Sequence, residues 1–169
     1  MKKTIALAAV VAAAGLANAD TLVIDVSGAQ SWGFQGDAMN EVMNVLVGAG
    51  ASITNIAWDV NMTTVTPSWA DENTMGFNGL EVVQPAPGDT NTVSNANYAG
   101  SQGSGLVMDG TGMLSIEFYE VGFDDIAGGV DSFYEAGSTV TLSGTGFVPT
   151  PGSLAVLGLG GLVAGRRRR

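Results

Sequence analysis

The chain contains no cysteine and no histidine, and its basic residues stand only at its two ends. The six are Lys2, Lys3, Arg166, Arg167, Arg168 and Arg169. Residues 20–147 therefore lack the side chains of a serine or cysteine catalytic triad, an ordinary zinc site, a Schiff base or an arginine clamp. Without cysteine there is no disulfide bond either, so this segment has to fold on its core alone.

All sixteen acidic residues lie in these 128 residues, whose formal charge is therefore −16. With no cation to displace phosphate counter-ions, the segment is not expected to bind nucleic acid. It can form no internal ion pair, so like-charge repulsion opposes compaction and keeps the chain soluble and monomeric. The same repulsion predicts raised carboxylate pKa values. Solution cations are the natural counter-ions, and calcium suits such oxygen ligands best.

Residues 1–19 have the pattern of a secretory signal peptide. Lys2 and Lys3 form a positive n-region, and an apolar h-region runs over residues 5–16. Ala17 and Ala19 then form a small-residue cleavage site. There is no twin arginine, so the pattern predicts export by the Sec machinery and cleavage after Ala19.

Residues 148–169 combine a turn, an apolar run and a basic stop. Pro149 and Pro151 cannot continue a strand ladder, and an apolar run over residues 154–165 follows them. As a helix this run would cover about 18 Å, whereas a bilayer hydrocarbon core is about 30 Å thick. The positive-inside bias would hold the four terminal arginines on the cytoplasmic side. A short span with a charged stop is typical of a sorting signal rather than a permanent anchor.

This C-terminal segment resembles the PEP-CTERM sorting signal of exosortase substrates. The resemblance rests on the apolar run and on the flanking residues Pro149, Pro151, Gly152, Arg166, Arg167, Arg168 and Arg169. Most of that family has Glu between the two prolines, where this chain has Thr150. The resemblance covers residues 148–169 alone. It implies export, transient association with the inner membrane, recognition by an exosortase, and release or transfer to the cell surface or extracellular matrix.

Residues 20–147 show the alternation of a β protein. On one predicted strand Ile56, Trp58, Val60 and Met62 share a face, and on a second Leu114, Ile116 and Phe118 do so. Residues 106–108 and the turn sequence at 109–112 predict a hairpin that leads into the second strand. Further strands are predicted at 22–26, 42–47, 80–83 and 139–142.

The fold prediction is all-β. Short strands separated by turn clusters predict a single antiparallel β-sandwich, jelly-roll-like, over residues 20–147. A signal peptide at 1–19 and a short C-terminal hydrophobic sorting helix within 148–169 are expected to flank it. Residues 85–105 are predicted to form a long polar loop, with a short strand near 93–98 as the alternative.

Three tryptophans are candidates for sugar stacking or for the core. Trp58 falls on the apolar face of its strand and is predicted to be core. Trp32 and Trp69 lie in loop-like sequence, where an exposed indole would stack on a sugar ring. The competing interpretation is that both plug the ends of the sandwich.

Two other patterns indicate candidate sites. Asp124, Asp125 and Asp131 lie in a glycine-containing stretch and offer hard oxygen ligands for calcium, without the EF-hand spacing. A solvated acidic loop is the competing interpretation. Asn61 begins the sequon Asn-Met-Thr and is a candidate glycosylation site.

These patterns leave three functional hypotheses. The leading one is an exported, non-enzymatic protein of the cell surface or extracellular matrix, processed by an exosortase and associated with exopolysaccharide. The second is a carbohydrate-binding module that uses Trp32 and Trp69. The third is a glycoside hydrolase that works with paired carboxylates alone.

Overall fold

The computed structural model describes residues 19–122 and 128–148. These residues form ten strands and one short 3-10 turn at Ala70–Glu72. The strands are β1 (Ala19–Asp25), β2 (Gln30–Ser31), β3 (Val42–Leu46), β4 (Ser52–Thr64), β5 (Asn73–Phe77), β6 (Glu81–Val83), β7 (Ala96–Gly103), β8 (Met113–Glu120), β9 (Ser132–Tyr134) and β10 (Thr139–Phe147). In this part of the chain no helix is long and apolar enough to cross a membrane.

The strands form two antiparallel sheets, so the all-β prediction is confirmed. In the first sheet β1 pairs with β10, β10 with β4, and β4 with β7. The short strand β9 lies in line with β10 along the same side of β4. Met62 of β4 pairs with Tyr134 of β9 on this side and with Ala96 of β7 on the other. In the same way β2 pairs with β9 and lies in line with β1. The second sheet has the order β3-β8-β5-β6.

Side chains from both sheets form one hydrophobic core. Ile56, Val60 and Met62 of β4 are fully buried, as are the predicted inward residues of β8. Phe118 of β8 meets Tyr134 of β9 edge to face, with ring centroids 5.0 Å apart, so this pair joins the two sheets. The alternation predicted for both strands is confirmed.

The predicted hairpin at 106–112 is wrong. The turn is present, since Gly112 N–H donates to the Asp109 carbonyl at 3.1 Å. However, residues 106–108 form no strand with β8; Val107 makes only an isolated bridge to Ser52. Residues 106–108 bond instead to the chain at the start of β4, where Ile53 N–H donates to the Leu106 carbonyl at 2.9 Å, and β8 pairs with β3 and β5 in the second sheet.

The predicted long loop at 85–105 is wrong for residues 96–103, which form strand β7, and the alternative of a short strand near 93–98 is correct in part. The inward positions of β7 are Ala96, Tyr98, Gly100 and Gln102, so the strand shows no alternation of large aliphatic residues. The ring of Trp58 takes up the missing volume: a Cβ at Gly100 would lie 2.5 Å from its Cζ2 atom. Trp58 packs against the core as predicted and remains partly exposed.

The strand directions place four connections at one end of the two sheets. β4 ends where β9 begins, at the pair Thr64 and Ser132, and β8 ends where β5 begins, at Asn73 and Glu120. The connections 32–41, 65–72 and 84–95 and the described residues 121–122 and 128–131 therefore lie together, and we call this the loop end. At the opposite end Ala19 pairs with Phe147, so both termini of the described chain are there.

We predict that Gly144→Ala destabilises the fold. Gly144 lies at the bulge where the register between β10 and β4 shifts, and a Cβ there would overlap the carbonyl oxygen of Ser52. The backbone has to move, so we expect a loss of about 1–3 kcal/mol in the free energy of unfolding, measured by urea denaturation. Gly103→Ala is the control, since no atom lies within 4 Å of its Cβ position. Equal stability of both variants would contradict this account of the bulge.

Candidate functional site

The first connection of the loop end is held by Asn40, which is almost fully buried. Its Oδ1 accepts hydrogen bonds from the backbone N–H groups of Trp32 at 3.2 Å and Gly33 at 3.1 Å. Its Nδ2 donates to the Phe34 carbonyl at 2.8 Å and to Glu117 Oε1 at 3.0 Å. One amide thus satisfies four polar groups and fixes the path of residues 32–34.

The second connection carries Trp69 and is fixed on both sides of it. The Ser68 hydroxyl donates to Asp131 Oδ1 at 2.7 Å in the interior. The Trp69 N–H donates to Glu72 Oε2 at 2.8 Å, and its carbonyl accepts from Asn73 Nδ2 at 3.2 Å. The Glu72 carboxylate therefore stabilises the start of the 3-10 turn.

The third connection packs alongside the second through its backbone. Ala70 N–H donates to the Asn91 carbonyl at 3.0 Å, and Asp71 N–H donates to the Asp89 carbonyl at 3.1 Å. The Tyr98 hydroxyl donates to Asp89 Oδ2 at 2.5 Å. This bond, with a second from Asn91, holds the pKa of Asp89 below its usual value. Burial, with Asp89 adding to it, raises the pKa of Tyr98 to about 12.

A buried polar cluster lies beneath the loop end and joins the two sheets. The Ser31 hydroxyl of β2 donates to Glu120 Oε1 of β8 at 2.6 Å and lies 2.8 Å from the Ser132 hydroxyl of β9. The Ser132 hydroxyl donates to Asn73 Oδ1 of β5. Burial, and secondarily the charge of Glu120, raise the pKa of Tyr134. The cluster anchors the loops above it to both sheets.

An open pocket of about 250 Å³ lies at the loop end. Its described lining is Trp69, Asp71, Glu72, Gln84, Val121 and Gly122. Trp69 is 44% exposed and Val121 is 36% exposed, so the pocket presents apolar surface to solvent. Carboxylate and amide oxygens beside an exposed indole suit a ligand that combines an apolar face with hydrogen-bond donors.

The two candidate stacking residues lie at the same end but differ in setting. Trp69 lines the pocket and is not a core plug. Trp32 is half-buried and is not among the described residues that line the pocket. A role for Trp32 in sugar stacking stays a prediction.

Of the calcium candidates, Asp131 is fully buried, so a solvated loop is the wrong interpretation for this residue. It is buried because it accepts the hydrogen bond from Ser68. Asp124 and Asp125 lie outside the described residues. Among the residues that are described, no three acidic, histidine or cysteine side chains are grouped so that they could hold a metal ion. Calcium binding stays a prediction.

The remaining predicted sites lie on β4, at the start of β1, or outside the structure. Asn61 Nδ2 donates to the Ala136 carbonyl at 3.3 Å and its Oδ1 accepts from Asn97 at 3.1 Å; glycosylation there stays a prediction. Ala19 is the first residue of β1. The other predicted cleavage and sorting residues lie outside the described chain: Ala17, Pro149, Pro151, Gly152, Arg166, Arg167, Arg168 and Arg169.

Local hydrogen bonds lower the pKa values of three carboxylates, two of which are exposed and one of which, Asp89, is partly buried. The side chain of Ser27 lowers the pKa of Asp25, and that of Thr111 lowers the pKa of Asp109. Asp89 behaves in the same way through Tyr98. The expectation that like charges raise carboxylate pKa values is therefore wrong for these three residues.

Sequence reasoning missed Asp71, Gln84 and Val121 as pocket residues. They belong to three different connections, which only the strand order brings together. The one available signal was local: Trp69 is followed closely by two acidic residues, Asp71 and Glu72. Comparisons of the chain with protein-family models, curated proteins and solved structures give no match, so the site is interpreted from its own geometry.

We predict that Asn40→Asp destabilises the loop end. The new carboxylate oxygen would face the Phe34 carbonyl and the Glu117 carboxylate in place of a donor, at a cost of about 1–3 kcal/mol at pH 7. Because like charge raises the folded-state pKa of the new group, the cost should shrink as pH falls through that value. Urea denaturation at pH 7 and pH 4 measures both effects.

Asn44→Asp on the exposed face of β3 is the matched control and should have little effect. If Asn40→Asp were as stable as this control at pH 7, Asn40 would not organise the connection.

Proposed function

We propose that the chain is an exported, non-enzymatic protein of the cell surface or extracellular matrix. Residues 1–19 direct it to the Sec machinery, and residues 148–169 act as a PEP-CTERM-like signal for an exosortase. The support is the pattern of the two ends, together with an intervening segment that contains no basic residue. Its final location is extracytoplasmic, after transient anchoring in the inner membrane.

The positions of the domain termini support this proposal. Ala19 and Phe147 pair at the end of the sandwich opposite the loop end, and Val148 N–H donates to the Val47 carbonyl there at 2.8 Å. A C-terminal segment held at a membrane would therefore present the loop end, with the pocket beside Trp69, away from that membrane. This arrangement suits a domain that meets external partners.

The strand order supports a jelly roll as the finer description of the fold. If β1 and β2 are counted as one interrupted strand, and β9 and β10 as another, the two sheets contain eight strands. Numbered along the chain, they have the orders 1-8-3-6 and 2-7-4-5. Successive strands alternate between the two sheets except for the fourth and fifth, which pair within one sheet, and this order is that of a jelly roll, an architecture that lectin domains also use. The fold alone assigns no function.

A carbohydrate-binding module is the second candidate, favoured by the pocket. Its exposed indole and its carboxylate and amide oxygens match the two faces of a sugar, which makes exopolysaccharide a fitting partner. We do not propose a hydrolase: the two pocket carboxylates are consecutive residues, and that of Glu72 accepts the backbone hydrogen bond of Trp69.

Processing tests the export proposal. We expect the intact mass of the protein from its native host to lack residues 1–19 and the four terminal arginines. In a comparison variant all four arginines are replaced by Ser. We expect this variant to be misprocessed or misoriented, because the positive charges that fix its orientation in the membrane are gone. Retention of Arg166 to Arg169 in the native protein would overturn the sorting proposal.

A further inference from the structure

We propose that the pocket beside Trp69 binds the pyranose ring of an uncharged or amine-bearing sugar and rejects acidic sugars. The inference rests on the carbohydrate-binding function proposed above and adds its site and its ligand class. It follows from the apolar walls of the pocket, from its hydrogen-bonding groups and from the charge around it.

The main apolar wall is the indole of Trp69. Its backbone is held by Glu72 on the N–H side and by Asn73 on the carbonyl side, although 44% of the residue is exposed. An exposed indole on a fixed backbone offers a flat surface to the C–H face of a sugar ring and loses little freedom on binding.

Val121 adds a second apolar surface to the same pocket. Its N–H donates to the Glu72 carbonyl at 2.8 Å, which ties the end of β8 to the turn that carries Trp69. The two apolar surfaces thus belong to one hydrogen-bonded frame, so the pocket exists before a ligand enters.

The charged side chains of the pocket, Asp71 and Glu72, are hydrogen-bond acceptors. Asp71 Oδ1 is buried and has no hydrogen-bond partner among the described residues. Gln84 Nε2 donates one hydrogen bond to the Asp71 carbonyl, which leaves the second N–H and the acceptor oxygen of this amide for a ligand. A ligand that supplies donors, as sugar hydroxyl and ammonium groups do, suits the carboxylates of this pocket.

The charge of the loop end sets the ligand class. Its connections carry Asp37, Asp71, Asp89 and Asp131 among other carboxylates, and residues 19–148 contain no Lys, Arg or His. A carboxylate or sulfate on a sugar would find no cationic partner here and would be repelled, whereas an amine would be attracted.

A glycan array and calorimetry test the proposal. The full chain, as exported by its host, is applied to uncharged, amine-bearing and acidic oligosaccharides at 0.15 M NaCl with EDTA. We expect binding to the first two classes only. By titration calorimetry with the best ligand, Trp69→Ala should weaken binding about tenfold or more. Phe34→Ala, which removes another exposed aromatic ring from the loop end, should leave it unchanged.

Each other outcome overturns a defined part of the proposal. Unchanged affinity of a folded Trp69→Ala protein would overturn the site but leave the carbohydrate function. Preferred binding of acidic glycans would overturn the ligand class. Absence of binding to any glycan would overturn both. If Trp69→Ala does not fold, Asp71→Asn keeps the side-chain shape and should still weaken binding severalfold, and unchanged affinity would again overturn the site.

Discussion

The described domain has to bury its core without a single cation, and its structure depends on that constraint. Every buried carboxylate needs a partner that is not Lys, Arg or His. Glu120 accepts from the hydroxyl of Ser31, Asp131 from that of Ser68, and Glu72 from a backbone N–H. Stability therefore rests on the apolar core shared by the two sheets and on hydrogen bonds from uncharged donors.

These partners determine where the domain can form a site. The hydroxyl donors and the buried carboxylates meet at one end of the sandwich, where they anchor the connections that carry Trp32 and Trp69. The same lack of cations leaves the pocket beside Trp69 with acceptors and no positive charge. The uncharged partners of the buried carboxylates and the proposed ligand class thus have the same cause, which is that all basic residues lie at the two ends of the chain.

Sequence patterns predicted the parts of the fold in which apolar residues alternate. β4 and β8 have such alternation because each is buried on one face, and both were correct. β7 was predicted only in part, as the alternative strand near 93–98, because the glycine at its inward position 100 gives no apolar signal and is explained only by the ring of Trp58 packed over it. β5 is buried on both faces, since Tyr119 covers Gly76 on the outer side, and so shows no alternation. At the site Trp69 was predicted, whereas Gln84 and Val121 reach the pocket only through the strand order.

The central claim is that the negative charge of a domain without cations opposes its folding, in addition to the conformational entropy that every chain loses. The range of this repulsion is about 30 Å at 0.01 M salt and about 10 Å at 0.1 M, so added salt screens most of it. The direct measurement is the melting temperature of the protein at pH 7 in 0.01 M and 0.1 M NaCl. The account predicts a clear rise with salt. A melting temperature that is flat or falls would contradict it.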